Sequence, residues 1–172
     1  MTSPVTRTLL VGAVAATALF GSLLDRALVA TPAWDRLGVQ AWADFSRHAD
    51  LGTGNVVYPV GGILCWVLIL AAAVNYVVFD RTTPRTLAVP VTLAVLGAFG
   101  EIATTIKAAP VMQGVAHLGN DQAALRAAFE QFTLWGVYVR GGFFALALLG
   151  SIWALVEAFR VPPRGAVRGW SL

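Results

Sequence analysis

Four long apolar stretches limit this chain to few folds, because each is long enough to cross a lipid bilayer as a helix. They cover about residues 8–30, 55–79, 86–108 and 134–159. A helix rises about 1.5 Å per residue, so a hydrocarbon core of about 30 Å requires about 20 apolar residues. Only 12% of the 172 residues are charged, about half the share of a soluble domain. The sequence therefore predicts an all-α protein of the cell membrane, a multi-pass four-helix bundle.

The first stretch also has features of a signal peptide. Arg7 precedes it, and the small residues Ala27 and Ala30 lie near its end. Its apolar run before Asp25 is long for a signal peptide, whose apolar core has about 7 to 15 residues. We therefore expect this stretch to be retained as the first span.

Lys and Arg beside the spans predict the orientation, because short loops rich in these residues stay in the cytoplasm. The ends assigned to the inner side carry Arg7, Arg81, Arg85, Arg160, Arg164 and Arg168. The outer side carries Arg36, Arg47 and Arg126, with Arg26 and Lys107 near the membrane edge. Both termini are therefore predicted to be cytoplasmic. The basic pI of about 9.6 therefore indicates this topology and contact with anionic lipid, whereas the dispersed arginines do not indicate binding of nucleic acid.

The two outer connections, about 31–54 and 109–133, are predicted to contain amphipathic helices. In the first, Trp34, Trp42 and Phe45 recur on one face, which suits a helix lying at the bilayer surface or capping the bundle. In the second, Asn120 is the predicted cap of a helix that leads into the fourth span. Pro110 is predicted to end the third span. Because no internal repeat is visible, residues 1–172 are predicted to form one domain.

Glu101 and Arg140 are ionisable residues inside apolar spans, where each charge costs about 2.5 to 3.5 kcal/mol on the more lenient scale. Helical periodicity and depth place other polar residues at the same outer level. The predicted pocket residues are Glu101, Arg140, Asp25, Asn55, Tyr58, Thr104, Thr105 and Lys107. His48, Asp50 and His117 could face its mouth. The residues therefore predict an outer polar pocket in which Arg140 pairs with Glu101, Asp25 or both.

Simpler interpretations stay open for several of these residues. The Glu101–Arg140 pair could be a structural ion bridge that sets helix register. His48 and His117 could be solvated, and Lys107 could be an anchor that extends toward the membrane surface. The tryptophans Trp34, Trp42, Trp135 and Trp170 are most simply interface anchors.

Motifs for metals and cofactors are missing from the sequence. The single cysteine, Cys65, excludes a two-cysteine redox couple, and no HxxxH, ExxH or CxxC spacing indicates a metal site. Gly61-Gly62 and Gly141-Gly142 lie in apolar helices and indicate close packing, not a phosphate loop. The sequence therefore predicts no cofactor and no metal.

Two segments carry a resemblance to a known family. Segment 104–112 contains Thr104, Thr105 and Pro110, and segment 132–140 is an aromatic-rich helix start that ends at Arg140. Together with the span layout, they resemble the anthrone oxygenase group of small four-span membrane proteins. Met112 and Val137 depart from the family pattern, which has Asn at the corresponding places.

The resemblance implies a cofactor-free oxygenase, an oxidoreductase of the monooxygenase type, that acts on an anthrone-like aromatic molecule. A base removes an acidic C–H proton, and the carbanion reacts with dioxygen. A buried carboxylate or His48 would be the base, and Arg140 with Lys107 would stabilise the enolate. The flat apolar substrate would arrive from the membrane through an aromatic rim that includes Trp135.

A competing hypothesis from another class is a non-catalytic membrane protein. It would bind a lipid or a quinone, or serve as an accessory subunit of a larger membrane complex. Independently of its function, the chain could form a homo-oligomer. A purely structural protein has little reason to keep several ionisable groups inside its spans, because each one is costly there. The polar pocket is therefore the feature that distinguishes the two hypotheses.

Overall fold

The computed structural model describes residues 2–79 and 85–160, which are almost entirely helical. Four helical stretches within these ranges are long and apolar enough to cross a membrane, and they are Pro4–Leu37, Val39–Val78, Arg85–His117 and Gln122–Arg160. The predictions of an all-α fold and of four long apolar helices are thus confirmed. The inner connection 80–84 lies outside the described residues, as do Arg164, Arg168 and Trp170.

Each stretch is divided into shorter elements. The α-helices are α1 (Pro4–Leu19), α2 (Ser22–Asp25), α3 (Thr31–Leu37), α4 (Val39–Phe45), α5 (Gly54–Val78), α6 (Ala88–Gly114), α7 (Gln122–Phe132) and α8 (Arg140–Arg160). Three π-helical segments connect some of them, at Arg26–Ala30, Ser46–Thr53 and Thr133–Val139. Single 3₁₀ turns at Arg85–Leu87 and Val115–His117 flank α6. Helix α1 begins four residues before the predicted span, because the Ser3 hydroxyl accepts the Thr6 N–H and Pro4 occupies the first turn.

Polar contacts join three helix ends on one side of the structure. The Thr2 hydroxyl donates to the carbonyl oxygen of Ala158 in α8 (3.1 Å). The Thr6 hydroxyl donates to Oδ1 of Asn75 in α5 (2.6 Å). The start of α1 therefore lies beside the ends of α5 and α8, as an up-and-down arrangement requires.

Helices α6 and α8 pack closely because small residues face each other. A Cβ atom at Gly97 would lie 2.4 Å from the backbone nitrogen of Ala147, and one at Gly150 would lie 2.6 Å from that of Ala94. Ala98 in the same contact is 1% exposed. Small residues at such crossings let membrane helices approach until their backbones touch. This contact sets the relative position of Glu101 on α6 and Arg140 on α8.

The outer connections form a packed cap over the helix ends. Trp42 is fully buried, and its ring centroid lies 5.4 Å from that of Phe129 and 5.8 Å from that of Phe132. Trp34 is also buried. The interpretation of Trp34 and Trp42 as interface anchors is therefore wrong, because both rings are packed in a buried cluster with residues of α6 and α7.

Three local predictions are corrected. The first outer helix is interrupted at Gly38, whose φ of +98° favours glycine, and so becomes α3 and α4.

Helix α6 continues through Pro110 to Gly114. Proline removes a hydrogen bond to the carbonyl four residues earlier, at Ile106, and both residues lie on the exposed side of α6. Asp121, and not Asn120, caps α7, because its carboxylate accepts the N–H groups of Ala123 and Ala124.

Candidate functional site

A cavity of about 490 Å³ lies between α5 and α6 at their outer halves. Arg26, residues of the second π segment, Phe132 of α7 and Arg140 at the start of α8 complete its walls. Its apolar lining comprises Leu51, Pro59, Ile63, Trp66, Ile102, Ile106, Ala108, Ala109, Met112 and Phe132, together with Gly54 and Gly62. Arg26, Asp50, Asn55, Tyr58, Glu101, Thr105, Gln113 and Arg140 are its polar lining. This size and composition are typical of a site for a small, mostly apolar molecule.

Glu101 and Arg140 form an ion pair in the wall of this cavity. The distance from Arg140 Nη2 to Glu101 Oε1 is 3.5 Å, and the two side chains are 18% and 7% exposed. Glu101 Oε2 has no hydrogen-bond partner within residues 2–79 and 85–160, and it is not enclosed by protein atoms. A Cβ at Gly62 would lie 3.4 Å from Glu101 Oε1, so the backbone of α5 passes beside the carboxylate. One carboxylate oxygen is therefore held by arginine and the other is open.

A second ion pair, between Arg26 and Asp50, lies beside the first. Arg26 Nη2 donates to Asp50 Oδ1 and to the Tyr58 hydroxyl oxygen, the latter at 3.1 Å. The guanidinium carbon also lies 5.9, 5.7 and 5.3 Å from the ring centroids of Trp34, Phe45 and Tyr58. Such cation–π contacts and ion pairing offset the cost of burying the charge.

The Asp50 side chain is only 3% exposed. Its Oδ2 is enclosed and has no partner in the part of the chain that the structure describes. Asp50 is therefore the fixed counter-ion of Arg26, whereas Glu101 offers an oxygen to the cavity. Two arginines and two carboxylates sum to no net charge, so the cavity does not require a charged ligand.

A break in the helix between α1 and α2 explains why sequence periodicity missed Arg26. Helix α1 ends at Leu19, and the chain changes phase through Phe20 and Gly21 before the first π segment begins at Arg26. Regular α periodicity had placed Asp25 on the pocket face, but Asp25 is exposed and Arg26 lines the cavity. The second π segment contains Asp50, and the third ends just before Arg140. Such π segments often occur at functional sites.

The structure brings five predicted site residues together. Glu101, Arg140, Asn55, Tyr58 and Thr105 all line the cavity. Arg26 and Asp50 are cavity residues that sequence reasoning did not select. The sequence did contain a sign of both residues, because each is an ionisable side chain at the outer end of an apolar stretch. Asp50 is predicted from the sequence to face the pocket mouth, together with His48 and His117, but not to be a site residue.

The other five predicted residues do not line the cavity. Asp25 and His48 are exposed, and His48 Nδ1 lies 2.8 Å from the carbonyl oxygen of Asp44, so His48 does not reach the site. The Thr104 hydroxyl donates within α6, at 2.9 Å to the carbonyl of Glu101. Lys107 and Trp135 contact each other, with the ammonium 4.1 Å from the ring centroid. None of these five side chains lines the cavity.

The cavity extends to the outside of the helices between α5 and α6. Ile63 and Ile106 line it and are 62% and 69% exposed. Within the described ranges, no group of three or more His, Cys, Asp or Glu side chains could hold a metal ion. The site is thus a largely apolar cavity with an opening between two apolar helices and a polar wall of two ion pairs.

Comparisons with protein-family models, with curated proteins and with solved structures find no match for this chain. The resemblance of segments 104–112 and 132–140 to the anthrone oxygenase group stays a prediction from the sequence. The geometry of the cavity is therefore the main support for a function.

Proposed function

We propose that this protein is a multi-pass enzyme of the cell membrane, a cofactor-independent oxygenase of anthrone-like aromatic molecules. The observation that carries the proposal is the Glu101–Arg140 pair in the wall of an otherwise apolar cavity, with Glu101 Oε2 open. A flat tricyclic ketone fits a cavity of about 490 Å³. The four apolar helices span the bilayer, and both termini lie in the cytoplasm.

Glu101 is the base in this proposal, because it is the cavity carboxylate with an open oxygen. It removes a proton from the methylene carbon opposite the ketone, and the electron pair moves to the ketone oxygen as an enolate. Arg140 stabilises this negative charge as it develops. Lys107, expected to help with this step, is held over Trp135 and does not line the cavity.

The remaining steps need only dioxygen and the proton already removed. The enolate carbon transfers electrons to dioxygen and forms a C–O bond, and the resulting peroxide takes the proton back from Glu101. Loss of water then converts the carbon to a ketone. The methylene group is oxidised by four electrons, one dioxygen is reduced, and one water is released, so no metal or organic cofactor is needed.

The alternative is a non-catalytic protein that binds a lipid or a quinone. The observation that favours it is that both cavity carboxylates are paired with arginine, because pairing makes a carboxylate a weaker base. The apolar opening at Ile63 and Ile106 suits a ligand from the membrane in either case. Oxygen consumption therefore separates the two functions.

The test measures oxygen uptake and quinone formation with anthrone, using purified protein in lipid nanodiscs. Glu101→Gln keeps the shape but removes the base, and it should lower the rate about 10²- to 10⁴-fold. Arg140→Gln should lower it about 10²- to 10³-fold. Matched controls are Glu157→Gln and Arg126→Gln, whose ion pairs lie away from the cavity.

Both control proteins should keep the wild-type rate. Wild-type protein that binds anthrone without oxygen uptake would support the non-catalytic alternative. Rates that are unchanged in Glu101→Gln would refute the assigned base.

A further inference from the structure

A second, smaller cavity of about 30 Å³ adjoins the large one. Arg26, Tyr58 and Arg140 line both spaces, and Ser22 adds a hydroxyl to the smaller one. Asp50 and Glu101 line only the large cavity. The volume is sufficient for about one or two water-sized groups. The polar side chains that line this small space are therefore all hydrogen-bond donors, without a carboxylate among them, and the apolar Phe20 and Leu23 complete its lining.

The Tyr58 hydroxyl is positioned to donate a hydrogen bond to a ligand. Its oxygen accepts from Arg26 Nη2 at 3.1 Å, so its own hydrogen must point elsewhere. Among residues 2–79 and 85–160 the Tyr58 hydroxyl donates no hydrogen bond of its own. The ring is fixed by the Arg26 guanidinium, 5.3 Å from its centroid, and by Gly54, where a Cβ would lie 2.7 Å from the ring. A hydroxyl that accepts from a cation is a stronger donor, because hydrogen bonds in a chain polarise one another.

We propose that Arg26, Tyr58 and Arg140 form a subsite for an acceptor oxygen of the bound molecule. The Tyr58 hydroxyl is the donor that distinguishes a ketone from the corresponding hydrocarbon. This subsite rests on the proposed function, and it identifies Arg26, in place of Lys107, as the second cation near the ligand oxygen. It also explains why α5 keeps a tyrosine among the apolar residues that line the cavity.

The test compares two probes of nearly equal shape, anthrone and 9,10-dihydroanthracene, in which a CH₂ group replaces the ketone. Binding is measured under nitrogen in lipid nanodiscs by quenching of tryptophan fluorescence, because Trp66 lines the cavity. Wild-type protein should bind anthrone about 2- to 10-fold more tightly, the range of one hydrogen bond. Tyr58→Phe should remove this preference and leave the affinity for 9,10-dihydroanthracene unchanged.

The control is Tyr138→Phe, because Tyr138 is exposed and lies outside both cavities. It should keep the wild-type preference. Binding of 9,10-dihydroanthracene by Tyr58→Phe shows that this variant is folded.

Three outcomes separate this inference from the function on which it rests. Equal affinities for the two probes in wild-type protein would overturn the subsite, and so would a preference that persists in Tyr58→Phe. In both cases the proposed function would still stand. Failure of wild-type protein to bind either probe would overturn the proposed function and the subsite together.

Discussion

Arg26 and Asp50 illustrate how much the polar wall of the cavity depends on single residues. The Asp50 carboxylate is almost completely buried, and its partner among the described residues is the Arg26 guanidinium. A buried ion pair costs desolvation, and replacing both members with apolar residues is often neutral. Losing one member leaves an unpaired buried charge. The pair therefore makes the wall sensitive to single substitutions.

We predict that Asp50→Ala destabilises the protein by about 3 to 5 kcal/mol, because it leaves Arg26 without a counter-ion. The double variant Arg26→Met with Asp50→Ala should recover part of this loss. The measurement is the free energy of unfolding in mixed micelles of increasing denaturing detergent. Asp35→Ala is the matched control and should cost about 0 to 1 kcal/mol, because the Asp35–Arg126 pair is exposed. Equal losses for Asp50→Ala and Asp35→Ala would contradict the structural role of the pair.

Helix α6 shows how the elements place Glu101. Its small residues Gly97 and Ala98 lie within one turn of Glu101 on the side that packs against α8. Sequence periodicity correctly placed Gly97, Glu101 and Thr104 on one face, because α6 is a regular α-helix there. Periodicity failed for Asp25, since the chain leaves α geometry at Phe20 and Gly21, between α1 and α2. The faces of regular α-helical segments were therefore predictable. Interruptions of a helix were not, because no proline or glycine motif marks them unambiguously.

Gly97→Leu should disrupt the α6–α8 contact and lower stability by about 1 to 3 kcal/mol or more. The reason is that a Cβ at Gly97 would lie 2.4 Å from a backbone atom of α8, which cannot move aside as a side chain can. Separation of the helices would also move Glu101 away from Arg140, so oxygen uptake should fall. Gly114→Leu, at the end of the same helix, is the control, because a Cβ there meets no atom within 4 Å. Thermal unfolding and anthrone oxidation are measured for both variants, and similar losses would argue against a specific contact at Gly97.

For the molecule as a whole, the sequence correctly predicted helical content and four long apolar helices, because both depend on composition over about 20 residues. It also predicted an outer polar site, and Glu101, Arg140 and Tyr58 do meet there. The burial of Trp34 and Trp42 was not predictable in the same way. A tryptophan at a helix end has the same local pattern in a lipid interface and in a packed cap. Only the position of α7 over α4 distinguishes the two environments.

The opening between α5 and α6 leads to a prediction about how a ligand reaches the site from the bilayer. Ile63 lines the cavity and is largely exposed, so Ile63→Trp should narrow the opening. A narrower opening raises the barrier for passage in both directions. Association and dissociation of anthrone should therefore slow by the same factor, while the equilibrium affinity changes little. Val60→Trp is the control, because Val60 is equally exposed on α5 but does not line the cavity. Stopped-flow mixing with anthrone-loaded vesicles measures both rates, and unchanged rates in Ile63→Trp would contradict entry of the ligand past Ile63.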